Sequence, residues 1–322
     1  MPNHHASLWA LTSYFNPAHY HTKLRNFKAF HQSLKMPLVI AELIINNQES
    51  DLSDYLSSTE DPGNTIHLQI HGNSIMWQKE RLLNLALARV PATVDHIAWI
   101  DCDILFHNPV WHEKMVEALR TNPLVQGFSR VMHLPPKIDH VPPCRLNLPE
   151  DRSFMASRLE NIETFKGHGR IWAAQADLLR RHGLYDAMIV GSGDLAMACA
   201  VMGNPSGLGS HRTVNGSQKY YSYLTKAHLS HYQAWAEPFH RDLCSQGQAG
   251  CLDETIYHLW HGEPDRRQYI TRHQMLLDNH FDPATDIALN EEGAWEWSSD
   301  KKELHDSVAR YFDSRREDDP SH

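Results

Sequence analysis

No apolar run in this 322-residue chain approaches the roughly 20 residues needed to span a bilayer. Cysteine is sparse: Cys102, Cys144, Cys199, Cys244 and Cys251 are scattered, odd in number and contain no CxxC pair. That excludes a disulfide framework or zinc knuckle as the organising device and points to reduced thiols in a cytoplasmic setting. Positive charge is not in excess. The net charge is −9, so the body has no general attraction for nucleic acid or anionic lipid, although a local basic groove remains open. The opening residues, Met1 to His5, lack the basic and apolar regions of a signal peptide. Internal repeats, a heptad seam and low-complexity tracts are also missing. What remains is an ordinary soluble composition, 41% apolar and 21% charged, long enough for one large α/β domain or two modest ones. Histidine alone is plentiful, at 24 residues.

The hydrophobic pattern alternates between strand and helix periods. Strands are expected at 7–15, 38–45, 65–71, 97–106, 124–134, 171–174 and 254–260. Helices are expected at 18–34, 77–90, 111–120, 175–182, from 193, over 226–244 and over 300–316. Asn46–Asn64, with its Asp61-Pro62-Gly63 turn, reads as a surface loop, Pro135–Arg158 as a long loop or lid, and 204–220 as a flexible basic loop. Strands separated by helices imply a mostly parallel α/β sheet with right-handed crossovers. Ligands of such sheets collect beyond the carboxyl ends of the strands. The expected layout is one domain over 1–280, with a nucleotide-binding half to about residue 134, an acceptor half from 135, and a C-terminal helical extension over 281–322.

One stretch organises the rest: Ile97-Ala98-Trp99-Ile100-Asp101-Cys102-Asp103-Ile104-Leu105-Phe106. Two apolar runs enclose a pair of carboxylates, and carboxylates enter such surroundings only when paired or metal-bound. At i, i+2 both point the same way if the strand continues; if it ends there, both can reach one hard cation. A polar strand end facing solvent, or a pair of turn caps, is the plain alternative. Other residues stand out beside ordinary structural readings. Asp194 sits in a glycine-flanked turn just before a helix, where an N-cap suffices to explain it. Lys79, Glu80 and Asn84 share a helix, and a solvated face would account for them. Glu42 is the sole charge of its strand, Arg25 could be helix surface, and Trp172 could be core. His258 and His261 frame a strand end before Gly262, as satisfied structural histidines also would.

In combination these blocks carry a resemblance. They are Asn16-Pro17 with Arg25-Asn26, Trp77-Gln78-Lys79-Glu80 with Asn84, Asp101-Cys102-Asp103, Gly191-Ser192-Gly193-Asp194, and His258-Leu259-Trp260-His261-Gly262. Their order and spacing resemble nucleotide-sugar-dependent glycosyltransferases of the GT-A fold, in the bacterial and phage branch of family-2-like enzymes. The likeness spans residues 7–203 and 252–272.

The resemblance implies a Rossmann-like GT-A sheet and transfer of a sugar from a nucleotide donor, with UDP expected, to a hydroxyl acceptor. The acceptor could be a glycan, a lipid-linked sugar, a protein or a modified nucleic acid; Arg212 and Lys219 would suit a polyanion. It implies Mn²⁺ or Mg²⁺ held by Asp101, Asp103 and one of His258 and His261, with Mn²⁺ tolerating imidazole better. It gives Asn16, Arg25, Glu42, Lys79, Asn84, Asp101 and Trp172 to the nucleotide-sugar, and Arg266 and Arg267 to the diphosphate. Asp194 becomes the base that deprotonates the acceptor in an inverting reaction. The chain departs from the pattern at Gly193-Asp194, where many relatives carry Glu-Asp. The location implied is cytoplasmic or at the inner face of a membrane. Rival readings are a sugar nucleotidyltransferase, although Tyr14-Phe15-Asn16-Pro17 stands where its glycine-rich phosphate loop belongs, a non-catalytic carbohydrate- or nucleotide-binding module, and a metal phosphoesterase.

Overall fold

The computed structural model describes residues 7–46, 48–59, 65–142, 147–162, 167–209, 211–214, 217–220, 224–269 and 271–318. The Asp61-Pro62-Gly63 turn, Cys144 and the side chains of Arg212 and Lys219 lie outside them.

The run LVIAELII, apolar apart from Glu42, becomes strand β2 (Leu38–Ile45), buried along its whole length. A strand covered on both faces has no polar positions to alternate. Its odd-numbered residues join one core cluster with Leu82, Leu83 and Ala86, while Leu38 and Ile40 join another with Phe27, Phe30 and Trp111. β1 (Leu8–Phe15) and β3 (Thr65–Gly72) flank β2 in parallel, and β4 (His96–Ile100) pairs in parallel with the other edge of β1. Helix α1 (His21–Ser33) makes the crossover from β1 to β2. Further along come α2 (Ser53–Ser58) and α3 (Lys79–Leu87), the latter packed on β1 and β2.

After β4 the chain breaks. β5 (Ile104–Phe106) belongs to a different sheet, so residues 101–103 form a turn between two sheets. Helix α4 (Trp111–Leu119) follows, and the expected 124–134 strand is divided in the same way. Its first part, β6 (Leu124–Gln126), stays in the large sheet; its second, β7 (Arg130–His133), leaves it. The expected 135–158 loop contains β8 (Glu150–Arg152) and α5 (Phe154–Leu159), the latter capped by Ser153. β9 (Ile171–Gln175) runs antiparallel to both β4 and β6, and leads into α6 (Ala176–His182) and α7 (Gly193–Val201). The segment expected as a flexible loop contains the hairpin β10 (His211–Val214) and β11 (Ser217–Tyr220). Then come α8 (Lys226–Gln246), β12 (Ala249–Cys251) and β13 (Thr255–His258).

The large sheet has the order β12-β6-β9-β4-β1-β2-β3 and is mostly parallel, with helices on both faces. The smaller sheet has the order β5-β13-β7-β8. The C-terminal stretch packs back onto the main core, where Phe281, Leu304, Val308 and Phe312 join the cluster containing Phe15 and Leu83. Its last helix, α9 (Lys302–Ser314), brings Phe312 edge-on to Phe15 and Arg315 over the ring of Trp77. Among the described residues no helix is long and apolar enough to cross a membrane.

Candidate functional site

The turn between the two sheets splits the carboxylate pair. Asp101 follows the last residue of β4, with its amide donating to the Arg170 carbonyl at 2.8 Å, and its side chain turns toward α3. Asp101 Oδ1 lies 2.6 Å from Lys79 Nζ. The same ammonium reaches Asp194 at 3.0 and 3.1 Å. Lys79 therefore bridges the end of β4 to the first turn of α7. Burial works against its charge, but Asp101, Asp194 and Glu80 outweigh it and hold its pKa well above the usual lysine range. Asp194 is not a helix cap: Ser192 takes that place with a left-handed backbone, leaving the Asp194 carboxylate to Lys79.

Two glycines make room for this cluster. A β-carbon at Gly169 would stand 2.6 Å from Asp194 Oδ2. One at Gly193 would fall onto the Glu80 carboxylate. Glu80 thus brings its carboxylate against the backbone of Gly193, the position where the resembling enzymes carry an acidic side chain. Burial, reinforced by Asp194 and Asp101 and opposed by Lys79, raises Glu80 to about 8. Burial likewise raises Asp101 to about 6 against the pull of Lys79. The cleft beside these groups is walled by Trp99, Tyr185, Met197 and Trp235.

A carboxyl whose folded pKa exceeds its unfolded value stabilises the fold at low pH, and that contribution drains away as pH rises toward the folded pKa. Glu80→Gln, which mimics the protonated acid, should therefore gain on the parent by about 1.4 kcal/mol per pH unit between pH 4.5 and 8. Parallel urea unfolding of the two proteins across that range would test this; a pH-independent difference would refute a proton held on Glu80.

Asp103 faces the other way, into the small sheet. Its Oδ2 lies 3.7 Å from His258 Nε2 and 3.4 Å from His261 Nε2, and the two Nε2 atoms are 2.9 Å apart. A triangle of these edges has its centre about 2 Å from each corner, a first-row metal–ligand bond length. Among the described residues this trio alone brings three such donor atoms together. Asp103 Oδ1 is buried and has no hydrogen-bond partner among them. Burial, with Arg170 and Arg267 nearby, lowers His258 to about 4 despite Asp103, so its ring is neutral and has a lone pair to give. Burial pushes the Asp103 carboxyl up, but His258, Arg267 and Arg170 outweigh it and hold it below the usual range. The residues present fit a cation of the Mn²⁺ type: two imidazoles and one carboxylate favour it over Mg²⁺. Arg267 donates to the His261 carbonyl at 2.8 Å, and the same nitrogen lies 2.8 Å from His261 Nε2. A cation bound there requires that guanidinium to move aside.

The remaining expected residues divide. Asn16 and Glu42 line a cleft at the carboxyl ends of β1 and β2 together with Tyr14 and Asp51. Asn16 donates to Asp51 at 2.8 Å, and Glu42 accepts from Ser50 and His67. Arg25 is on α1 with its Nε buried and without a hydrogen-bond partner among the described residues. Its neighbour Asn26 donates to the Trp260 carbonyl at 2.9 Å, tying α1 to the histidine turn. Trp172 is only 1% exposed and packs in the core, its indole N–H donating to the His168 carbonyl, so neither ring face is open to a sugar. Asn84 spends its amide on Leu184 and Asp186, which fastens α3 to the loop before α7. Arg266 is exposed. Sequence reading missed Arg170, His133 and Asp151; His133 stood at a strand end, as His258 did, while Asp151 sat unmarked in an apparent loop.

No family model matches the chain, and no curated protein matches it. Solved structures do align with it. Glucosyl-3-phosphoglycerate synthase from Mycobacterium tuberculosis, in complex with Mn²⁺, uridine diphosphate and phosphoglyceric acid, aligns over 91% of this chain and 87% of its own at 10% identity, with a TM-score of 0.39. 4-Diphosphocytidyl-2C-methyl-D-erythritol synthase from Anaerococcus prevotii aligns over 77% and 89% at 12% identity, with a TM-score of 0.37. The catalytic domain of Drosophila β1,4-galactosyltransferase 7, in complex with xylobiose, aligns over 62% of each chain at 11% identity, with a TM-score of 0.32. The chain itself is an α/β protein built on a large, mostly parallel sheet flanked by helices.

Proposed function

We propose that the protein is a metal-dependent glycosyltransferase that moves a sugar from a nucleoside-diphosphate donor, UDP-linked by preference, to a hydroxyl acceptor with inversion. One juxtaposition carries this reading. A three-residue turn at the end of β4 directs Asp101 to the Lys79–Asp194 bridge and Asp103 to the His258–His261 pair. A carboxylate for proton transfer and a donor set for a cation thus meet beyond the carboxyl end of a central strand, where ligands of such sheets bind.

Asp103, His258 and His261 would hold the cation, which supplies Lewis-acid neutralisation of the diphosphate when bound. Arg267 and Arg170, which already act electrostatically on Asp103, offer positive charge to the same leaving group. Asp194 accepts the proton of the acceptor hydroxyl as its oxygen bonds to the anomeric carbon; the bond from that carbon to the phosphate oxygen breaks, and its electron pair leaves with the nucleoside diphosphate. Lys79 holds the Asp194 carboxylate in place through contacts at 3.0 and 3.1 Å. Asn16, Glu42 and Arg25 border the nucleotide.

Nucleotide release from a panel of NDP-sugars with Mn²⁺ tests the reading, because slow hydrolysis proceeds without an acceptor. Release from one donor, abolished by EDTA, is the expected result. Pyrophosphate release from a nucleoside triphosphate and a sugar phosphate would instead establish a nucleotidyltransferase, and metal-independent turnover would remove the cation from the mechanism.

A further inference from the structure

The imidazole of His258 does not stand alone. Strands β13 and β7 run parallel with His258 opposite His133, and the two Nδ1 atoms are 3.3 Å apart. On its far side, His133 Nε2 lies 3.0 Å from Asp151 Oδ2, on the adjoining strand β8. The three side chains form a line from the sheet edge to the Asp103–His258–His261 trio, with their exposure falling from 39% at Asp151 to 29% at His133 and 18% at His258.

The order of donors in that line is decided from its outer end. A carboxylate can only accept, so His133 must donate through Nε2. A neutral His133 then presents its Nδ1 lone pair inward, and the hydrogen between the two rings must come from His258 Nδ1. That leaves the lone pair of His258 on Nε2, the nitrogen facing Asp103 and His261. The opposite tautomer would put a hydrogen into the centre of the trio and bar a cation. Partners of this kind set ring orientation and raise the basicity of a ligating imidazole.

We propose that Asp151 and His133 are positioning residues that lock His258 in the Nδ1–H tautomer and so create the cation site. The inference rests on the metal-dependent reading above. It extends that reading to two residues on strands that contribute nothing to the trio itself.

The test is Mn²⁺ binding, followed by loss of the free-ion electron paramagnetic resonance signal, with and without UDP. His133→Leu, which fills the space but offers no acceptor, should weaken binding about 10- to 100-fold. His133→Asn, whose amide oxygen hangs from the same Cγ as Nδ1, should restore affinity to within a few-fold of the parent. A merely structural role predicts equal losses for both. Asp151→Ala, at a part-exposed edge strand where folding is not at stake, should weaken binding about 10-fold. In ¹⁵N-histidine correlation spectra of the apoprotein, His258 should show Nδ1 protonated, and should lose that preference in His133→Leu. If the parent binds Mn²⁺ and the Leu and Ala variants bind it equally well, the positioning role is wrong while the metal site stands. If the parent binds no Mn²⁺ under either condition, the metal reading fails and takes this inference with it.

Discussion

Asp103→Asn is expected to abolish Mn²⁺ binding and to lower metal-dependent nucleotide release by on the order of 10³-fold or more, equivalent to about 4 kcal/mol of transition-state stabilisation. The reason is the donor count. Asp103 is the single carboxylate of the trio, and Arg170 and Arg267 bring positive charge to it. Without that carboxylate, two imidazoles and two guanidiniums remain, a setting that repels a divalent ion. The fold should lose some stability as well, because His258, Arg267 and Arg170 hold the ionised carboxylate below its usual range and are left without it. Thermal unfolding separates the two effects. The parent should gain about 2.7 kcal/mol from Mn²⁺ at one hundred times its dissociation constant, and the variant should gain nothing relative to its own metal-free midpoint. A variant that is still stabilised by Mn²⁺ would place the cation elsewhere.

Lys79→Met should be the most destabilising single change in the site, by about 3 kcal/mol. Lys79 is 7% exposed, and its ammonium is shared between Asp101 and Asp194, with Glu80 also acting on it. Its removal leaves like charges facing one another in a poorly solvated place. The carboxylates keep some water, at 26% and 31% exposure, which sets the estimate at the low end of the range for broken buried pairs. Lys79→Arg should not rescue the fold, since a planar guanidinium cannot sit as a point charge between two carboxylates. Adding Asp194→Asn to Lys79→Met should recover part of the loss, since it removes one of the stranded charges. Denaturant unfolding of the set would decide: additive losses would mean that Lys79 and Asp194 do not interact.

The two outcomes are distinct because the turn at 101–103 serves two functions on its two sides. Asp101 belongs to a structural and electrostatic network that ends at the proposed base. Asp103 belongs to the proposed cation site. Between them, burial, with Asp103 and Asp101 beside it, raises the Cys102 thiol to about 12 and keeps it inert near neutrality.

Much of this architecture was determined locally. The apolar stretch of Leu8–Phe15, the run of Leu38–Ile45 that is apolar apart from Glu42, and the helical spacing of Leu82, Leu83 and Ala86 are properties of neighbours along the chain, and each became the expected element. The same locality marked Asp101, Asp103, Asp194, His258 and His261, because a polar group bounded by apolar residues is conspicuous in one dimension. What the sequence could not determine was which partners such groups meet. Asp101 and Asp103 part company because residues 101–103 leave one sheet for another, and sheet membership depends on pairings with β9 and β13, 70 and more residues away along the chain. Trp172 and Asn84 were ambiguous for the same reason: only packing shows that one fills the core and the other fastens a loop. Lys79 reads as helix surface until α7 is laid against it. Asp151 reads as loop until β8 pairs with β7 and sets it behind His133. Periodicity is written in the chain, whereas the meeting of distant charges exists only once strands have chosen their neighbours.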